Sequence, residues 1–329
     1  DCGLYQGCTF CEARNLEAFP FDPSTVDAVI VTHAHLDHVG RLPKLFKEGF
    51  AGAVYATPPT APLAKLVLED AQHILEEEQK KFARPVPYGR EDVRKAVEAF
   101  KPLEYGQTAK LGELSFRFRD AGHIFGSAFV ELTERGGAKA GFSGDLGNEH
   151  VPILRETAQL AAVDALVMES TYGNRIHEDE STRIAKLRDV IVRTFQRNGV
   201  LVIPAFAIER TQQLLFEISR LAEAKAIPAV DAYLDSPMAI RVTEVMKQFP
   251  QYYDPEAKAL VAAGDDFFDF PGLKVCLTRE DSQKINAARR PKIVIAGAGM
   301  MNGGRILHHL VRYLGDARST VLIIGYQAD

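Results

Sequence analysis

The chain has 329 residues, 46% hydrophobic and 25% charged, and its 39 Lys and Arg against 44 Asp and Glu leave a formal charge of −5. That balance excludes a disordered or collagen-like chain and suits about two globular domains, and no apolar run approaches the roughly 18 to 20 residues of a membrane-spanning helix. The mild negative charge offers no overall attraction to nucleic acid, so a polyanionic substrate has to be held by a local basic groove or by metal ions.

Four cysteines in a chain this long make no disulfide framework and fit a reducing, cytoplasmic compartment. Cys2, Cys8 and Cys11 form a C-x5-C-x2-C cluster, which lacks a nearby fourth ligand for a structural zinc because Cys276 lies far along the chain. The chain opens on Asp1 without a Met and ends shortly after an apolar run, so both ends read as cut from something longer.

In chain order, β-branched and apolar runs predict strands over 28–31, 53–55, 114–118, 128–132, 140–142 and 165–168. Good helix formers predict helices over 62–82 and 91–100, and Gly136-Gly137 predicts a hairpin turn and hence some antiparallel pairing. From about Ser181 the alternation becomes regular. Helices over 181–197, 209–224, 237–248 and 304–314 interleave with strands over 200–203, 229–234, 274–277, 293–296 and 321–324. Such repetition implies a parallel sheet covered by helices on both faces, with a domain boundary near 174–181.

The chemistry concentrates in VIVTHAHLDHVG, residues 29–40, where an apolar strand runs into His33, His35, Asp37 and His38. In an extended loop, positions i and i+2 point the same way, so His33 and His35 can grip one metal, while Asp37 and His38, where the chain turns into a helix, can hold a second. Imidazole with carboxylate suits zinc or a similar divalent ion. Further ligands are offered at two other strand ends, His123 in DAGHIFGSA and Asp145 in GFSGDLGN, where flanking glycines permit tight loops. A carboxylate such as Asp145 can bridge two cations.

THAHLDHVG followed by AGHIFGSA and FSGDLG resembles the metallo-β-lactamase superfamily. The segments ESTYGNR at 169–175, IPAFAIERTQ at 203–212, LDSPMA at 234–239 and AGAGMMNGGRILHHL at 296–310 narrow the likeness to its β-CASP group of nucleic-acid nucleases. The closest resemblance is to the RNA-processing members, related to the pre-mRNA 3′-end cleavage endonuclease and its prokaryotic homologues. The resemblance implies an α/β fold: a truncated metallo-β-lactamase αββα sandwich over residues 1–178, with an inserted β-CASP domain of mainly parallel sheet over 179–329.

It implies two Zn2+, with His33, His35 and His123 on one, Asp37 and His38 on the other, and Asp145 between them. Asp1 matches the family's first acidic motif, which supports the metal loop by hydrogen bonding. Glu169 matches the acidic residue that orients a catalytic histidine. That histidine and one further zinc ligand belong to motifs expected beyond Asp329.

The activity so implied is hydrolysis of single-stranded RNA by a zinc-dependent endoribonuclease, the paired ions activating a hydroxide, Asp37 accepting a proton and Glu169 serving through the missing histidine. Arg210, Ser236, Gly303, Gly304 and Arg305 sit at strand-to-helix junctions, where backbone N–H groups favour phosphate, and are the candidate substrate contacts. Tyr172 is a candidate base-stacking residue, though a tyrosine at a strand end commonly packs on the core. A homodimer and a non-membrane, cytoplasmic setting complete the expectation. The alternatives are a β-CASP exonuclease, a DNA-directed nuclease, whose relatives tend to carry Asp in place of Glu169, and a non-catalytic scaffold paralogue. A small-molecule metallohydrolase is disfavoured because it needs no second α/β domain.

Overall fold

The computed structural model describes residues 1–6, 13–174, 182–229, 231–325 and 327. Cys8 and Cys11 of the cysteine cluster, and Arg175 and Ser181, lie outside the described residues. The chain forms two compact units, Asp1–Thr171 and Tyr172–Asp329.

The first unit contains two sheets. Strands β1 (Ala28–Ile30), β2 (Ala53–Ala56) and β3 (Phe100–Pro102) are parallel, in that spatial order. Strands β4 (Thr108–Leu111), β5 (Leu114–Asp120), β6 (Ala128–Glu134) and β7 (Lys139–Phe142) form an antiparallel meander, and β8 (Ala165–Val167) adds to β7 in parallel. The expected hairpin joins β6 to β7, where Gly137 N donates to Glu134 O (2.9 Å). The sheets pack face to face: Ile30 and Tyr55 lie against Phe116, Phe118, Ala128 and Val130, and the Tyr55 and Phe116 rings meet edge-on with centroids 5.2 Å apart. Alternate residues Val29, Val54 and Ala56 are buried on the other face of the small sheet, as the period of two requires. Helices Leu42–Lys47, Thr60–Phe82 and Arg90–Glu98 bury Leu45, Leu63, Leu68 and Val93.

The helix read over 91–100 ends at Glu98, because Phe100 begins β3 and its neighbour Ala99 gives its carbonyl to Val54 N (3.0 Å). β3 and β4 escaped the sequence reading because FKP and TAKL are short and carry charges at exposed positions, so neither shows an apolar run.

In the second unit, strands β9 (Val200–Pro204), β10 (Ala232–Asp235), β11 (Leu273–Val275), β12 (Lys292–Ala296) and β13 (Thr320–Val321) form one parallel sheet, in the order β11-β10-β12-β9-β13. β9 and β12 are buried at every residue, which matches their continuous apolar runs. On one face Leu201, Ile203, Leu234, Ile293 and Ile295 pack with Leu187 and Ile191 of helix Arg183–Gln196 and Leu214 and Ile218 of helix Arg210–Glu223. On the other, Val200, Val202, Tyr233 and Val294 pack with Ile306 and Tyr313 of helix Ile306–Tyr313. β13 is shorter than the strand expected over 321–324, although Leu322 N still donates to Val202 O (2.9 Å). Among the described residues, no helix is long and apolar enough to cross a membrane.

Candidate metal centre

The first loop of the site is an extension of β1. Val31 N donates to Tyr55 O (2.8 Å), continuing the strand pairing, and Thr32 O then accepts from Ala128 N (2.8 Å), which ties the loop to the second sheet. His33 follows, fully buried, and His35 stands in extended backbone (φ −66°, ψ 150°) at the start of the short helix Leu36–Val39 that carries Asp37 and His38. Asp1 clamps this loop. Its Oδ1 accepts from Thr32 N (2.8 Å), and its Oδ2 accepts from Thr32 Oγ1 (2.8 Å) and lies 2.8 Å from His38 Nδ1. The strap continues as Cys2 N donates to His38 O (2.7 Å) and Leu4 N to Leu36 O (3.1 Å). Gly3 is required here, since a Cβ would lie 1.4 Å from the Asp37 carbonyl oxygen.

The other two loops follow β5 and β7. Asp120 Oδ1 accepts from Gly122 N (3.1 Å), whose φ is +64°, and His123 N donates to Ser127 Oγ (3.0 Å). The loop of Asp145 is held against this one by Gly147 N donating to Ala121 O (2.9 Å), so closely that a Cβ on Gly147 would sit 1.8 Å from Gly122 O. Glu169 braces it from behind: its Oε1 accepts from Leu146 N (2.6 Å) and its own N–H donates to Ser143 Oγ (3.0 Å). Residue 169 thus holds the peptide next to Asp145.

Four ligand atoms, from His33, His35, His123 and Asp145, lie within 4.8 Å of one another. His35 Nδ1 is 3.0 Å from His33 Nε2 and 3.2 Å from His123 Nε2, and Asp145 Oδ2 is 3.9 Å from His33 Nε2 and 3.6 Å from His123 Nε2. The second carboxylate oxygen faces another group, with Asp145 Oδ1 3.2 Å from His38 Nε2 and Asp37 Oδ2 3.9 Å from the same nitrogen. Asp37 is the open side of the site, its side chain 53% exposed.

Burial, together with the neighbouring imidazoles of His35, His38 and His123, holds the His33 pKa well below the ordinary histidine value of 6.5, so this ring is neutral and can offer a lone pair. Burial alone would raise the Asp145 carboxyl; the hydrogen bond from His38 and the charges of His38, His123 and His35 outweigh it and hold the group below its ordinary range. The donor set fits a divalent ion: imidazole nitrogens and a carboxylate converge, and outer nitrogens are oriented by partners. Thr32 Oγ1 lies 3.1 Å from His33 Nδ1, and the Asp1 carboxylate meets His38 Nδ1.

The candidate substrate residues all fall in the second unit. Ser236 caps helix Pro237–Lys247, its Oγ accepting from Ala239 N (3.3 Å). The 297–304 loop after β12 approaches it, with Ser236 Oγ 3.5 Å from where a Cβ on Gly297 would be. Gly304 has φ +74° and no room for a side chain, a Cβ meeting Gly297 O at 2.5 Å, whereas around Gly303 the space is open. Arg210 Nη1 donates to Gln213 Oε1 (3.1 Å). Tyr172 is half-buried, with φ +57°.

Arg305 is engaged within the fold. Its Nη1 donates to Asp235 Oδ1 (2.7 Å) and Cys276 O (2.9 Å), and its Nη2 to Leu277 O (2.9 Å). Asp235 is fully buried and also accepts from Ser282 Oγ (2.6 Å), with His309 Nε2 at 2.7 Å from Oδ2. Sequence reasoning missed Asp235, Ser282 and His309, which sit up to 74 positions apart. The one available signal was an aspartate ending an apolar strand run just before Ser236-Pro237.

Comparison with known proteins matches the two units to separate family models, Metallo-beta-lactamase superfamily over residues 7–166 and Beta-Casp domain over residues 211–329. The sandwich and its loop cluster thus define a protein of a superfamily whose members bind divalent metal. The chain belongs to the β-CASP RNA-processing family of that superfamily. It is 42% identical to Ribonuclease TTHA0252 of Thermus thermophilus, over 99% of this chain and 73% of the relative. It is 32% identical to Probable RNase MJ4 of Methanocaldococcus jannaschii, over 99% and 73%. Against Transcription termination factor FttA of Methanosarcina mazei it is 34% identical over the whole chain, which spans about half (52%) of that protein.

Proposed function

We propose that this protein is a cytoplasmic, zinc-dependent endoribonuclease acting on single-stranded RNA with two metal ions. The observation that carries the reading is the placement of Asp145, one oxygen facing His33 and His123 and the other facing His38. The likeness to two relatives named as ribonucleases supports RNA as substrate. His33, His35 and His123 would hold one ion, Asp37 and His38 the other, and Asp145 both.

When bound, two divalent ions lower the pKa of water and offset charge on phosphate oxygens, which also answers the overall charge of −5. The chain's own residues do the rest. Asp37, exposed at the mouth, accepts a proton from the attacking water. Asp1 and Thr32 fix the rings of His38 and His33, and Glu169 fixes the Asp145 loop. Ser236, Gly303 and Arg210 offer phosphate contacts, and Arg305 shapes that region through Asp235 instead of touching substrate. A homodimer is compatible with this reading.

The test is metal content by mass spectrometry on the full-length protein, beside cleavage of internally labelled and end-labelled RNA and DNA by the parent and Asp37→Ala. About two zinc per chain and internal cuts in RNA, lost in the variant, are expected. Absence of metal, or cleavage indifferent to Asp37, sinks the reading, while single nucleotides released from one end favour the exonuclease and cleavage of DNA alone the DNA-directed enzyme.

A further inference from the structure

Residues 286–320 carry Arg289, Arg290, Lys292, Arg305, Arg312 and Arg318 against a single carboxylate, Asp316, within a chain whose net charge is −5. Arg305 belongs to the carboxyl-end network around Asp235. The other five gather at the amino end of β12 and the end of helix Ile306–Tyr313. Arg290, Lys292 and Arg312 surround the buried ring of Tyr313, at 5.5, 5.7 and 6.0 Å from its centroid. Arg290 and Arg318 share Asp316, the latter through Nε at 3.1 Å from Oδ1, so two guanidiniums are set against one charge. From Asp316 the cluster runs on through Ser319 and Thr320 to Arg197, whose Nη2 donates to Thr320 Oγ1 (2.8 Å).

The neighbouring carboxylate at this edge, Asp231, is engaged by Lys274 (2.9 Å). Lys292 is buried with backbone carbonyls of Ile285 and Ala288 as its acceptors, and burial followed by repulsion from Arg290 and Arg312 brings its pKa down to about 8. The field here is positive and internally uncompensated, while Arg197, Arg289, Arg312 and Arg318 reach solvent.

We propose that this arginine surface, Arg197, Arg289, Arg312 and Arg318, is a second RNA-binding site that holds the phosphate backbone of the substrate at the sheet edge opposite the one bearing Ser236 and Gly303. The proposal rests on the ribonuclease reading above. Several fixed guanidiniums with little base-reading chemistry suit a polyphosphate strand without sequence preference. β12 is five residues long, so about 17 Å of strand separates this edge from the one bearing Ser236 and Gly303. A long RNA can engage both edges of the sheet and one of about five nucleotides is restricted to one.

The experiment uses the full chain in chelator, where no strand is cut, and measures fluorescence anisotropy with labelled single-stranded RNAs of about 40 and about five nucleotides over a salt series. Arg289 and Arg312 are exposed, so R289Q/R312Q and R289E/R312E are expected to fold like the parent. The salt slope for long RNA should fall by about 0.7 per arginine lost, about 1.4 for the pair, with the charge reversal weaker still and short-RNA binding unchanged. Long-RNA affinity and slope equal to the parent's in both variants would overturn the second site alone. A parent that binds neither RNA overturns the ribonuclease reading and this inference with it.

Discussion

Two aspartates, half-buried Asp120 under the His123 loop and fully buried Asp235 at the end of β10, are moved in opposite directions by their surroundings. Asp235 is met by Arg305, Ser282 and His309; burial alone would raise its pKa, and those three donors outweigh it and hold the carboxyl below its ordinary value. Asp120 has one backbone donor, Gly122 N, and the more distant charge of Arg155, so burial dominates and lifts its pKa to about 6. The same contrast holds for the regions around them. Polar groups at the carboxyl ends of β10 and β12 neutralise one another, whereas in the first unit the candidate ligand atoms of His33, His35, His123 and Asp145 lie within 4.8 Å of one another. A closed network fixes structure; an open convergence of donors is where a cation can bind.

The comparison breaks most visibly at Asp235. Replacing it with Ala leaves Arg305 and His309 without their shared partner, and a broken buried pair costs about 3 to 5 kcal/mol. Urea unfolding should show that loss, with metal content in the folded protein unchanged. The reverse is expected of Asp145→Ala, which removes the carboxylate facing both ligand groups. Bound metal should fall and RNA cleavage drop by about a hundredfold to a thousandfold, while the midpoint of unfolding of the metal-free protein moves little. If D145A kept its metal, the open centre would have to be redrawn around His35 and His123 without it.

One step weaker is Asp1→Ala. The carboxylate touches His38 and Thr32 but stands behind them, and loss of such a supporting group typically costs tenfold to a hundredfold in metal affinity. Zinc titration against a competing chelator measures it, and an unchanged affinity would make Asp1 a fastener of the loop only.

The open centre was legible in sequence and the closed network was not, for a physical reason. Four candidate ligands fall within His33 to His38, and one loop after one strand places them close in sequence. His123 and Asp145 are distant in sequence but lie between glycines at strand ends, and close-packed glycine loops such as Gly122 against Gly147 bring them in. Asp235, Ser282, Arg305 and His309 meet only because the parallel order β11-β10-β12 lays their elements side by side, which no local spacing reveals. Arg305 accordingly shows in sequence only its place beside Gly303 and Gly304, and the bonds of its guanidinium to Asp235 and two carbonyls are seen only in the fold. The apolar strands were readable for the opposite reason, since β9 and β12 are buried on both faces and admit no polar residue in their central positions.

The smallest effect sharpens the comparison furthest, because it depends on sign. The Asp120 carboxyl binds its proton more tightly in the folded chain, at about 6, than in the unfolded chain, near 3.8. Between those values this carboxyl binds more protons in the folded chain, so its own contribution rises as pH falls from about 6 towards 4 and is a constant penalty above 6, while His33, its pKa depressed, pulls the other way in parent and variant alike. Allowing for partial solvent access, the gain is about 1 to 2 kcal/mol. Asp120→Asn can still accept from Gly122 N without a charge to bury, so the variant should be more stable than the parent at pH 7, and that advantage should shrink as pH falls through this window. Asp235 runs the other way, its contribution lost only as pH falls through its depressed pKa, below 3.8. Urea midpoints of D120N and parent at pH 7.5 and 5 (about) separate the two carboxyls, and equal slopes in both proteins would mean that Asp120 is better satisfied than its single backbone donor implies.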